Sequence, residues 1–320
     1  MSILRTLLFL LVLALVAGFY YVKVHHPPAA NPKIAFTPEP TPVTVLSLKS
    51  EDRLDRLSIH HLSQQSRIVF QRETGNRWNI VQPVVYPSES LIVNGMESLL
   101  KMMPRIRPLS AEGISPADFG FDHPQFSICV TSSGRQAERC LVIGSEAAIG
   151  EGSYAKWEDE ETYFRVNQPF VNAFDRSLYS VRKKQIFNLL EENLISLRFR
   201  TASEDILLKR EDKRWMLEKP ARAMIGSSAM HSVLADLNGL FVREFLDGES
   251  VSDQKFGLKP AQCVIGAVFE NGTRETLIQG SPASGKNAYY VRTDDDRETV
   301  SLVSKKKLDE IHQAFKTLAA

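Results

Sequence analysis

Two stretches of the chain alternate apolar and polar residues and then close on tryptophan and proline: RIVFQRETGNRWNIVQP from Arg67 and DILLKREDKRWMLEKP from Asp205. Period-two alternation predicts two strands and a short polar turn in each, with Trp78 and Ile80, or Trp215 and Leu217, on one face. The period then changes. Ile92, Met96, Leu100 and Met103 recur at spacings of 4, 4 and 3, as do Ala229, Val233, Leu237 and Leu240, and each set predicts one apolar helix stripe. SPADFGF at 115–121 and SDQKFGL at 252–258 each begin with a serine suited to cap a helical turn. Each also carries a glycine, Gly120 or Gly257, where a left-handed C-cap falls. Strand-like pairs follow: FSICVTSSGRQAERCLVIG then SYAKW with TYFRV, and CVIGAVFENGTRETLIQG then AYYVR with TVSLV. The second of these hairpins is expected to turn at Asn271-Gly272. A closing helix is predicted after Asn167, with Val171, Phe174 and Leu178, and after Ser304, with Leu308, Ile311 and Phe315.

The two tryptophans lie 137 positions apart, and the helix stripes, the FG turns and the closing helices keep the same offset. The expected fold is therefore α+β, with two tandem repeated β-rich modules, 44–185 and 186–320. Each holds one long helix, a short capped turn and a closing helix. Trp78, Trp215, Gly120 and Gly257 are the landmarks of the repeated core. Arg77 and Arg214, beside the tryptophans, are expected at the surface.

Ahead of the modules, Leu7 to Val22 is an unbroken uncharged run between Arg5 and Lys23, 17 residues with Thr6. That meets the lower end of the roughly 17 to 25 residues a helix needs to span a bilayer. Residues 1–24 are read as a retained transmembrane anchor, with Tyr20 and Tyr21 at an interface, in preference to a cleaved signal peptide. A proline-rich linker, 25–43, would hold the body off the membrane as a semi-extended spacer. The expected location is the bacterial inner membrane, single-pass, with the body in the periplasm.

Composition changes this picture little. Lys+Arg 39 against Asp+Glu 38 leaves no excess to neutralise phosphates, so no nucleic-acid partner is expected. Chemistry-bearing residues are sparse. A hairpin turning between Gly134 and Arg135 sets Cys129 and Cys140 directly opposite, a candidate cross-strand disulfide; the alternative is two small half-buried thiols. Cys263, placed opposite Gly280, is expected to be a buried free thiol. The acidic runs at 158–161 and 294–296 lack the glycine and distal glutamate of a calcium loop and read as solvated hairpin tips. GEGSYAK at 150–156 and SGK at 284–286 are fragments of phosphate-binding loops without the full motif, so no nucleotide is expected. The seven histidines, among them His60 and His61 at a strand end where surface exposure is expected, show no metal-ligand spacing, and no serine elbow or HExxH helix occurs. No catalytic residue, cofactor or metal is expected.

Three features carry a family resemblance. They are the Arg-Trp runs Arg77–Pro83 and Arg214–Pro220, the FG turns running to proline at Phe119–Pro124 and Phe256–Pro260, and RKKQIFNL at 182–189. In these the chain resembles the bacterial family catalogued as domain of unknown function 4340. The resemblance implies amino-terminally anchored, extracytoplasmic proteins of one or two such units, encoded beside ABC-type transport or gliding-motility components, and it offers no catalytic residues to carry over. The function expected is a non-enzymatic accessory or scaffold protein that docks onto an envelope assembly. A glycan- or peptide-binding module and an unrecognised hydrolase are the alternatives.

Overall fold

The computed structural model of the protein describes residues 43–47, 52–61, 64–109, 115–133, 135–148, 151–248, 252–293 and 299–320. The expected anchor, the linker up to residue 42 and the acidic run 294–296 lie outside them. Among the described residues no helix is long and apolar enough to cross a membrane. Thr44–Ala320 form one compact unit.

That unit is mixed α+β and mostly sheet. The first sheet holds β1 (Leu54–His61), β2 (Ser66–Arg72), β3 (Trp78–Gln82), β4 (Tyr86–Pro87), β5 (Ile106–Leu109), β6 (Phe126–Ser132), β7 (Arg135–Glu146), β8 (Ser153–Trp157) and β9 (Tyr163–Val166). The second holds β10 (Leu194–Thr201), β11 (Asp205–Glu211), β12 (Arg214–Lys219), β13 (Ala223–Ile225), β14 (Val242–Asp247), β15 (Cys263–Phe269), β16 (Arg274–Pro282), β17 (Ala288–Thr293) and β18 (Thr299–Ser304). The first order is β4-β3-β2-β1-β6-β7-β8-β9-β5 and the second is β13-β12-β11-β10-β15-β16-β17-β18-β14. The two orders are the same, each strand of the second being the ninth after its counterpart.

Helices cover one face of each sheet. α1 (Ser90–Met102), α2 (Gln168–Phe174) and the single turn α3 (Leu178–Val181) serve the first, and α4 (Ser227–Asn238) and α5 (Lys305–Ala319) the second. Alternation explains the layering: Trp78 and Ile80 are buried on the helix side, and Trp215 and Leu217 likewise. The stripe on α1 is Val93, Met96 and Leu100, and on α4 it is Met230, Val233 and Leu237. Ala229, expected in the stripe, is exposed and Ile92 is only half-buried. The helix enters its core one residue later than a 4-4-3 spacing suggests, because one turn takes 3.6 residues.

The outer face of each sheet is partly covered by its FG turn. Ser115 caps the turn Pro116–Phe119, and Gly120 and Gly257 take φ +71° and +67°, the left-handed values expected of them. Phe119 then packs on Tyr154 and Tyr163, and Phe256 packs on Tyr290. Gly144 and Gly280 permit this approach: a Cβ would stand 2.1 Å from Phe119 O in the first case and 2.2 Å from Phe256 O in the second. Both proline bonds that close the tryptophan strands, Gln82-Pro83 and Lys219-Pro220, are cis.

Two local expectations need correction. The hairpin of β15 and β16 does not turn on two residues at Asn271-Gly272. Phe269 N–H donates to Thr273 O and only Gly272 has positive φ, so a three-residue loop with a left-handed glycine closes it. Cys263 therefore faces Gln279, not Gly280. The closing helix of the first half, expected to run on through Leu178, is interrupted at Asp175–Ser177. Asp175 turns aside to accept from His61, and Ser177 starts a new turn by accepting from Ser180 N–H. Its counterpart α5 is continuous over 15 residues.

Candidate functional site

The run RKKQIFNL forms an extended segment between the two sheets, and its backbone bonds to both. Glu89 N–H donates to Val181 O and Lys183 N–H to Pro87 O, which seals the edge of β4. Ile186 N–H donates to Leu240 O and Val242 N–H to Lys184 O, which joins the segment to the start of β14. Consecutive residues of an extended chain face opposite ways, so Arg182 can be buried while Lys183 stays half-exposed.

Arg182 is 1% exposed. Its guanidinium forms a two-pronged pair with Asp247 at 2.8 and 2.9 Å and donates to Thr299 Oγ1 at 3.2 Å. Thr299 in turn donates to Asp247 at 2.8 Å. The planar cation lies against the rings of both Tyr86, 4.4 Å away on the first sheet, and Phe245, 4.2 Å away on the second. Those rings meet edge to face at 5.2 Å, and Tyr179 joins them by packing on Phe245 and donating to Val242 O. Delocalised charge and a flat fork suit arginine, where lysine could satisfy neither the paired oxygens nor the stacked rings. Burial draws the Lys184 ammonium below its ordinary range, while the Glu89 charge works the other way. Its three protons go to the carbonyls of Tyr179, Ser180 and Arg182, which anchors the turn α3.

Beside this lock runs a shallow cleft lined by Tyr86, Lys183, Gln185, Arg274, Glu275 and neighbours. Its charged groups are cationic but for Glu275, which accepts from Asn188 N–H at 3.3 Å. The cleft lining has no serine, cysteine or histidine to pair with a base. What this arrangement can do is hold two sheets together and offer a polar, mainly cationic surface.

The residues singled out from the sequence lie elsewhere and are not brought together. Trp78 Nε1–H donates to Asn94 under the guanidinium of Arg72, and Trp215 Nε1–H donates to Glu191. Arg77 and Arg214 are exposed. Cys129 and Cys140 sit opposite each other in the β6–β7 register and are joined as a disulfide. Cys263 is buried and unbonded, its thiol pushed up to about 12 chiefly by burial. Among the acidic tips, Asp159 and Glu160 are bound by Arg139, and Glu160 also by Arg105. Lys286 of the SGK fragment is paired with Glu244. His61, at a strand end where exposure was expected, is buried against Phe126 and bonded to Asp175 at 3.1 Å.

The lock itself was not legible. Arg182 and Asp247 are 65 residues apart and Arg182 and Thr299 are 117 apart. The only signal near it was the run RKKQIFNL.

Fold and junction together define a class: an α+β protein of two like-ordered sheets coupled by a buried arginine paired with a partly exposed aspartate. The family model described as Domain of unknown function (DUF4340) matches residues 78–259, more than half of the chain and across the junction, and the protein belongs to that family. No curated protein and no solved structure shows significant similarity to the chain.

Proposed function

We propose that this protein arose by tandem duplication of one α+β unit and works as a membrane-tethered, extracytoplasmic accessory or scaffold protein. It docks, without catalysis of its own, onto an envelope assembly such as an ABC-type transport complex. The observation that carries the reading is the Arg182–Asp247 lock between two sheets of one strand order. Among the described residues the backbone landmarks repeat around it while these polar partners differ: Asn94 serves Trp78 where Glu191 serves Trp215, and the disulfide of the first sheet is answered by Gly266 and Thr276 in the second. A duplicated catalytic unit would be expected to keep its reacting groups in at least one recognisable cluster. Two coupled sheets instead provide a broad, preorganised surface, which lowers the ordering cost of binding a partner.

The test is photo-crosslinking in cells, with the full chain carrying a crosslinker at Tyr179 beside the junction or at Met224 on the second sheet's edge; both are exposed. Repeated capture of one membrane-complex subunit is the expected result. Capture of envelope polymer alone would replace docking with ligand binding. Tethering has its own check: the protein should stay with membranes after an alkaline wash and be released when residues 1–24 are deleted.

A further inference from the structure

The outer face of the first sheet carries a groove whose floor is the Cys129–Cys140 disulfide, bordered by His60, Arg67, Ser127 and Glu138 and walled by the FG turn at Phe121 and Pro124. From this groove we propose a thiol-exchange site: the Cys129–Cys140 bond is reversibly reduced in the folded protein by an external dithiol, with Cys140 as the sulfur attacked. This goes beyond the docking reading and does not depend on it.

Three observations support the assignment. The sheet does not need the bond, because the second sheet has the same strand order with Gly266 facing Thr276 at the matching place. The two cysteines differ in exposure: Cys129 is 1% exposed, whereas Cys140 is half-buried and also lines an adjoining surface hollow with Glu138 and Glu158. Ser58 stands directly across from Cys129 in the β1–β6 register, fully buried, and its hydroxyl has no hydrogen-bond partner among the described residues. A buried hydroxyl left unpaired costs free energy, and a thiolate forming at Cys129 would give it an acceptor. A Glu138 carboxylate oxygen lies within 4.8 Å of both sulfurs, with Arg67 at 3.6 Å from that carboxylate, and its charge sets the rate without favouring the exchange.

The chemistry balances as follows. One thiolate of the dithiol attacks Cys140 Sγ, forming a mixed disulfide and breaking the bond to Cys129, which leaves as a thiolate facing Ser58 and takes up a proton. The second thiol of the reagent, as its thiolate, then attacks its own sulfur in the mixed disulfide, and Cys140 leaves and is protonated. Two electrons and two protons pass from the dithiol to the cysteine pair. Exchange is faster when the leaving thiol is more acidic. Ser58, as a donor to the leaving sulfur, therefore speeds the first step, and the negative charge of Glu138 slows it.

The test uses the oxidised full chain in native buffer with dithiothreitol, followed by alkylation and mass spectrometry. Expected are labels on Cys129 and Cys140, none on buried Cys263, and unchanged circular dichroism. Ser58→Ala should slow reduction about threefold, and Glu138→Gln should speed it by about the same factor. If Ser58→Ala does not fold, the exposed Glu138→Gln carries the comparison alone. A thioredoxin-class protein whose resolving cysteine is serine should be trapped on Cys140. Reduction that only accompanies unfolding, trapping on Cys129, or an unchanged rate in the variants that fold would overturn the proposal.

Discussion

The two sheets share their strand order yet close their helical layers and edges differently. In the first, the closing helix breaks at Asp175–Ser177, and the chain that emerges seals the edge of β4 before crossing over. In the second, α5 runs unbroken, and the edge strand β13 pairs with β12 alone among the described strands, leaving Met224 68% exposed. The break is thus tied to the junction: a continuous helix would carry residues 175–181 away from β4, and Arg182 would not reach Asp247. Sheets of the same strand order tolerate this difference because their stability rests on the buried faces, while edges and helix ends are set by a few capping and pairing contacts.

The largest effect should come from breaking the lock. Arg182→Ala removes the cation from Asp247 and Thr299 and leaves a gap beside the rings of Tyr86 and Phe245. It should cost about 3 to 5 kcal/mol, because the charge-assisted hydrogen bonds and the packing of a buried side chain are lost together, while the partly exposed Asp247 is left to water. Urea unfolding followed by tryptophan fluorescence should then separate in two, with Trp78 and Trp157 reporting the first sheet and Trp215 the second; one unchanged transition would mean that the sheets are coupled by something else. Next come the matched core leucines, Leu100 and Leu237, both 0% exposed. Leu100→Ala and Leu237→Ala should each cost about 2 to 5 kcal/mol, and a large difference between them would show that the two cores are packed unequally.

Gly120→Ala and Gly257→Ala should each lose about 1 to 3 kcal/mol in thermal denaturation. Both positions have positive φ, and an added Cβ would stand 2.8 Å from Ser145 N in one and 2.9 Å from Ser281 N in the other. A smaller effect is confined to the first sheet and depends on pH. Hydrogen bonding from Arg105, followed by that from Arg139, holds the Glu160 carboxyl below its usual range in spite of partial burial. A depressed carboxyl stabilises the fold above its unfolded pKa of about 4.3, and the contribution fades as pH falls through the lower folded value. Comparing urea midpoints at neutral pH and well below pH 4, Glu160→Gln should be about 1 kcal/mol less stable than the unaltered chain at neutral pH and should close most of that gap in acid. Smallest of all, Arg222→Ala should change stability by under about 0.5 kcal/mol, because Arg222 pairs with Glu211 and Glu218 while 62% exposed.

Much of the fold was legible because local chemistry and burial agree. Period two set Trp78 with Ile80 and Trp215 with Leu217, and Ser115 with Gly120 bounded a capped turn. Equal distance from the turn set Cys129 against Cys140, and the observed register has them paired. Legibility failed where two local solutions have similar energy. Asn271-Gly272 suits a two-residue turn, but the three-residue loop that forms moves Cys263 from Gly280 to Gln279. Nothing in the period of Val171, Phe174 and Leu178 foretold the break that follows Phe174, because the partners that stabilise it, His61 for Asp175 and the β4 edge for Val181, come from distant parts of the chain.

The amino-acid sequence alone determined the faces of the tryptophan strands, the two FG turns and the offset of 137 residues between matched landmarks, because backbone propensity and side-chain period act over neighbouring positions. Only the tertiary structure decided how the two sheets are joined. An arginine becomes a lock when distant residues supply two carboxylate oxygens, a hydroxyl and two aromatic faces, and burial of the arginine makes those contacts costly to lose. No window of sequence contains that cost.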